Sequence, residues 1–117
     1  MVTTSIELVS FTGTAGNDGI TLRWVTAQEQ GTRGFHLYRS AVGVRGSAVR
    51  ITPQLIPAIG GGTYTFLDTD TTLGQRYTYW LQEVETGGTL REYGPIMVTQ
   101  APPTAALYKV FMPFVRR

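Results

Sequence analysis

The stretch Ile20-Thr21-Leu22-Arg23-Trp24-Val25-Thr26 has the two-residue period of a half-buried strand. Ile20, Leu22 and Trp24 fall on one face of an extended backbone, with Thr21, Arg23 and Val25 on the other, because successive strand side chains point to opposite sides. The spacing places Trp24 at the centre of a core.

Strand patterns flank this stretch on both sides. Residues 6–11 read as a short first strand, and the Gly-, Asn- and Asp-rich residues 13–19 as a turn. Polar residues 28–34 read as a loop into a third strand, Phe35-His36-Leu37-Tyr38-Arg39, where Phe35 and Leu37 alternate with His36 and Tyr38. Pro53 and Pro57 confine the segment between them to an edge strand or an irregular run. Further strands follow over residues 63–68, 76–84 and 90–98, the last two joined by the hairpin turn Thr86-Gly87-Gly88. Counting the segment near residues 49–57, seven strands recur at spacings near ten residues, the pattern of a sandwich.

Composition agrees with one soluble, β-rich domain. A chain of 117 residues has room for a single core, and its 14 glycines suit tight turns rather than helices. The ten Lys and Arg residues are scattered singly apart from Arg116-Arg117, so the net charge of +2 does not gather into the stripe a nucleic-acid binder uses. The absence of cysteine excludes a disulfide, a thiolate zinc site and a cysteine nucleophile. No run approaches the roughly 20 apolar residues of a membrane helix, and an export signal, if used, lies outside this chain.

Three features together resemble a fibronectin type III domain, an immunoglobulin-like sandwich, in a variant appended to exported bacterial proteins. They are Ile20-Thr21-Leu22-Arg23-Trp24, Gly34-Phe35-His36-Leu37-Tyr38-Arg39, and Leu73-Gly74-Gln75-Arg76-Tyr77, and the resemblance spans Ile6 to about Val98. It implies that Tyr77 is a tyrosine corner whose hydroxyl bonds upstream main chain. Leu73 stands where the family commonly has proline. The resemblance implies an extracellular or cell-surface accessory module and carries no catalytic residues. The expected organisation is a sandwich over residues 1–100, then a proline linker and an apolar, strand-like tail over residues 101–117.

Candidate chemistry is sparse. His36 is the only histidine, so a multi-histidine metal site cannot form within one chain, and alternation places it on the outer face. Asp68 and Asp70 supply only two of the six to eight oxygens calcium takes. Glu83 and Glu85 are expected to remain solvated beside a bulge that turns Val84 inward, since an unpaired buried glutamate is costly. Gly60-Gly61-Gly62 and Gly87-Gly88 lack the lysine and following helix of a phosphate loop. Neither a cofactor, a metal nor a catalytic centre is expected.

Two features point to binding instead. If Tyr77, Tyr79 and Leu81 face the core, Trp80 faces outward, and in a fibronectin-like topology it joins His36 and Tyr38 in an exposed patch that can bind a sugar or a protein. The alternative is cross-strand packing that stiffens the sheet. In the tail, residues 107–115 form an apolar strand-like run in which Val110, Phe111, Met112, Phe114 and Val115 are apolar on both strand faces and need a cover; Leu107, Val110, Phe111 and Phe114 are the candidate contacts. The leading expectation is a non-catalytic adhesion or assembly module that contacts protein, itself or a host polypeptide, through its outer sheet and tail by strand addition, a head-to-tail contact that can build a filament. Carbohydrate recognition and a plain structural spacer of a secreted enzyme are the alternatives.

Overall fold

A computed structural model describes residues 5–100. They form eight strands: β1 (Ser5–Ala15), β2 (Ile20–Gln30), β3 (Thr32–Ser40), β4 (Val49–Arg50), β5 (Ile56–Pro57), β6 (Gly62–Asp68), β7 (Arg76–Glu85) and β8 (Leu90–Thr99), with one 3-10 turn at Arg45–Ser47. The strands make two antiparallel sheets, one ordered β1-β2-β6 and the other β4-β3-β7-β8, with β5 also paired to β3. The described chain is all-β and has the layering of a β-sandwich. It has eight strands where the sequence spacing predicts seven, because the segment near residues 49–57, counted there as one, contributes two separate two-residue strands on either side of Pro53.

The core lies between the sheets. Ile20, Leu22 and Trp24 of β2 and Tyr64 of β6 meet Phe35 and Leu37 of β3 and Tyr77, Tyr79 and Leu81 of β7, all of them buried. Trp24 stacks on Tyr64 with ring centroids 5.1 Å apart and meets Phe35 edge-on at 5.7 Å. Trp24, Leu37 and Tyr77 therefore occupy the core positions that alternation assigns them. The Tyr77 hydroxyl accepts the Thr72 backbone N–H at 2.9 Å, the upstream main-chain bond expected of it.

Two boundaries differ from the sequence reading. β1 continues to Ala15, so the turn shrinks to residues 16–19, closed by the Gly16 N–H donating to the Gly19 carbonyl at 2.8 Å. Residues 28–34 are not a loop. Gln28 and Gln30 finish β2 in register with β1, Thr32 opens β3 in register with β7, and Gly31 alone, at φ 67°, carries the chain from one sheet to the other. Their polarity reflects exposure at the rim of the sandwich, where a strand needs backbone partners but no apolar side chains. The linker and tail, with Leu107, Val110, Phe111 and Phe114, lie outside the described residues.

Candidate binding surface

Cross-strand register assembles the aromatic patch. On the outer face of the larger sheet, His36 lies opposite Gln82 and Tyr38 opposite Trp80. The predicted neighbours are thus brought together, but the patch is not exposed as alternation suggests. Trp80 is only 5% exposed, and Thr78 and Gln82 on the same face are buried too.

The cover includes a residue that sequence periodicity does not single out. Arg45, in the 3-10 turn, holds its guanidinium carbon 4.3 Å from the Tyr38 ring centroid and 5.7 Å from that of Trp80, and its Nε donates to Glu92 Oε1 at 2.8 Å. A guanidinium over an aromatic face is attracted by the ring quadrupole. Ser40, buried at the end of β3, shapes the loop that presents it: its Oγ accepts the backbone N–H groups of Val42 and Val44 at 3.1 and 3.3 Å and bonds Ser47 Oγ at 3.0 Å.

His36 is half-buried rather than a free surface group. The Thr52 hydroxyl accepts the Leu37 N–H at 3.3 Å and shares a 2.6 Å hydrogen bond with His36 Nδ1. Burial lowers the His36 pKa, and the nearby Arg50 charge lowers it further.

The acids are committed to partners inside the fold. Asp68, 3% exposed, takes two bonds from Arg39 Nη1, at 2.8 and 3.0 Å, and one from the Tyr79 hydroxyl at 2.7 Å. Asp70 only grazes Arg39 Nη2 at 3.5 Å. The solvated reading of Glu83 and Glu85 is overturned: they are 0% and 3% exposed. No bulge lies at Glu83, which stays in register with Phe35 and Arg91, so alternation carries both acids along the core side of β7. Glu83 is buried because it is satisfied, accepting from Thr32 Oγ1 at 2.6 Å and from the Tyr93 hydroxyl at 3.2 Å. Glu85 pairs with Arg91 Nε. Among the described residues no group of three or more His, Asp or Glu converges to hold a metal ion, and no helix is long and apolar enough to cross a membrane.

No protein-family model and no curated protein matches this chain.

The sheet edges differ sharply in how they are protected. β8 carries Arg91, Glu92 and Pro95, β1 breaks register around Leu8, and β4 and β5 are two residues each. These are ordinary devices that discourage edge-to-edge pairing. β6 has none of them. Its sequence, Gly62-Thr63-Tyr64-Thr65-Phe66-Leu67-Asp68, holds no proline, and its one charged residue is the buried Asp68. Among the described residues β6 pairs only with β2, in unbroken register, which leaves its other edge unpaired.

Proposed function

We propose that this chain is a non-catalytic adhesion or assembly module of the cell surface or extracellular space, which makes protein–protein contacts by strand addition. The observation that carries the proposal is the β6 edge left unpaired among the described residues, seven residues long, in unbroken register with β2 on its other side, and without proline or an exposed charge. Such an edge offers a row of main-chain donors and acceptors to an incoming strand, while alternate side chains set its register. The apolar residues 107–115 of a second copy supply a segment of suitable chemistry. A contact of this head-to-tail kind need not close, so it can extend into a filament.

Carbohydrate recognition by Trp80, Tyr38 and His36 needs an aromatic face free to stack on a sugar. Trp80 is only 5% exposed and so presents little ring face for a sugar, which favours the protein-binding reading.

Solution mass against concentration tests the proposal. The full chain is expected to assemble as concentration rises, whereas a chain ending at Gln100, a Phe111→Asp variant and a Thr65→Lys variant on the β6 edge stay monomeric and folded. If all four share one oligomeric state, strand addition is not what the chain does.

A further inference from the structure

Tyr38, Trp80 and Glu92 stand on three adjacent strands of one sheet, with Tyr38 opposite Trp80 and Glu92 opposite Gln82, Trp80's neighbour on the same outer face. Two aromatic rings beside a carboxylate make a slot for a planar cation: the rings attract the charge and the carboxylate takes its N–H groups. The slot is filled from within the chain by the Arg45 guanidinium, 4.3 Å from the Tyr38 centroid and 2.8 Å from Glu92 Oε1.

Slot and occupant differ in how they are held. The slot is built on paired strands. Arg45 sits on the connection between β3 and β4, where Val42 and Val44 are 72% and 56% exposed. Its pair with Glu92 is open to solvent, with each side chain 38% exposed, and such pairs add little to stability. The occupant can thus leave without loss of the sheet beneath it. The exposed Val42, Val44 and Val49 on the same loop and on β4 provide apolar surface for the backbone that would bring in a replacement.

We propose that the Tyr38–Trp80–Glu92 slot is a recognition site for an arginine side chain of a protein partner, and that Arg45 is the resident competitor it displaces. Guanidinium is favoured over ammonium because only the planar group can stack on a ring while directing N–H groups at a carboxylate in the same plane. The site is independent of β6 and stands whether or not that edge accepts a strand.

The probes are N-acetyl-arginine amide and its lysine counterpart, titrated into the full chain and followed through the Trp80 indole N–H resonance. In Arg45→Ala and Arg45→Gln, the arginine probe should shift that resonance saturably. Wild type should require about tenfold more probe, the factor expected if Arg45 fills the slot nine-tenths of the time. The lysine probe should bind more weakly, and Glu92→Gln or Tyr38→Ala added to Arg45→Ala should abolish the response. The inference is overturned if neither Arg45 variant binds more tightly than wild type, or if binding survives loss of Glu92 and Tyr38. Near-ultraviolet circular dichroism matching wild type establishes that each variant is folded.

Discussion

Tyr79 of β7 and Asp68 of β6 join the two sheets through a buried hydrogen bond of 2.7 Å from the phenol to Asp68 Oδ2. Arg39 of β3 completes the link, so one carboxylate serves three strands in both layers. Removing one member of a buried charged set leaves the others desolvated and unpaired. Asp68→Ala is expected to cost about 3–5 kcal/mol, and Tyr79→Phe about 1.5–3 kcal/mol, the range for a bond to a charged group. Urea unfolding of both variants is the check, and an Asp68→Ala midpoint equal to wild type would refute the role given to this network.

Three tyrosines predict a loss of stability in alkali. Burial first, and neighbouring Asp68 or Glu29 next, raise the pKa values of Tyr79 and Tyr64, while burial and Glu83 raise that of Tyr93 to about 12. In the unfolded chain each phenol ionises at about pH 10. Above that pH the unfolded state has released protons that the folded state retains, so the sign of the linkage makes stability fall as pH rises. The contribution is intact below about pH 10 and, for Tyr93, is lost progressively up to about 12. Tyr93→Phe should flatten the decline over that window in urea titrations; an unchanged slope would count against the assignment.

Trp24 gives a prediction with two parts. Its indole is fully buried, stacked on Tyr64, and its Nε1–H has no hydrogen-bond partner among the described residues. Trp24→Ala is expected to cost about 3–5 kcal/mol through the cavity it leaves. Trp24→Phe should cost clearly less, because it keeps much of the packing and removes a buried donor that is already unpaired. Equal losses from the two substitutions would show that the indole N–H is not a liability.

Trp24 and Trp80 also show what the sequence makes legible. The face of β2 is plain because Ile20, Leu22 and Trp24 alternate with residues that can meet water. The same rule applied to β7 correctly turns Tyr77, Tyr79 and Leu81 inward, but says nothing of what covers the other side. Arg45 reaches Trp80 from 35 positions away in a glycine-rich connection that has no periodicity of its own. Glu83 is similar: its burial depends on Thr32, 51 positions distant, which local pattern cannot pair with it. That β6 keeps one edge unpaired among the described residues depends on sheet order, which strand spacing alone does not determine. The juxtaposition of Tyr38 and Trp80 is expected only once the third strand is set beside the one after residue 75, which the fibronectin-like topology supplies and local periodicity does not.

Gly34 governs how the chain reaches the β6 edge. It lies in β3 where β5 crosses close by, paired with Pro57, and its backbone lies outside the left-handed region, so alanine meets no torsional objection there. The objection is contact. A Cβ at Gly34 would run into the Ile56 carbonyl oxygen and come within 2.8 Å of Leu55 Cγ. Since the nearest obstacle is backbone rather than a flexible side chain, β5 must move away, at a cost of about 1–3 kcal/mol typical of overpacking. β5 leads directly into β6 through three further anchors: Ala58 N–H to the Arg33 carbonyl at 3.0 Å, Ile59 N–H to the Tyr64 hydroxyl at 2.9 Å, and Gly60 N–H to Glu29 Oε1 at 2.8 Å. Gly34→Ala should therefore loosen this approach while leaving Trp24 buried, since Trp24 is held by β2, Tyr64 and Phe35. Hydrogen exchange is expected to rise over residues 56–60 and to stay low over residues 20–24. If exchange rises equally in both, the close approach at Gly34 supports the whole sandwich; if it rises in neither, β5 is not held by that contact.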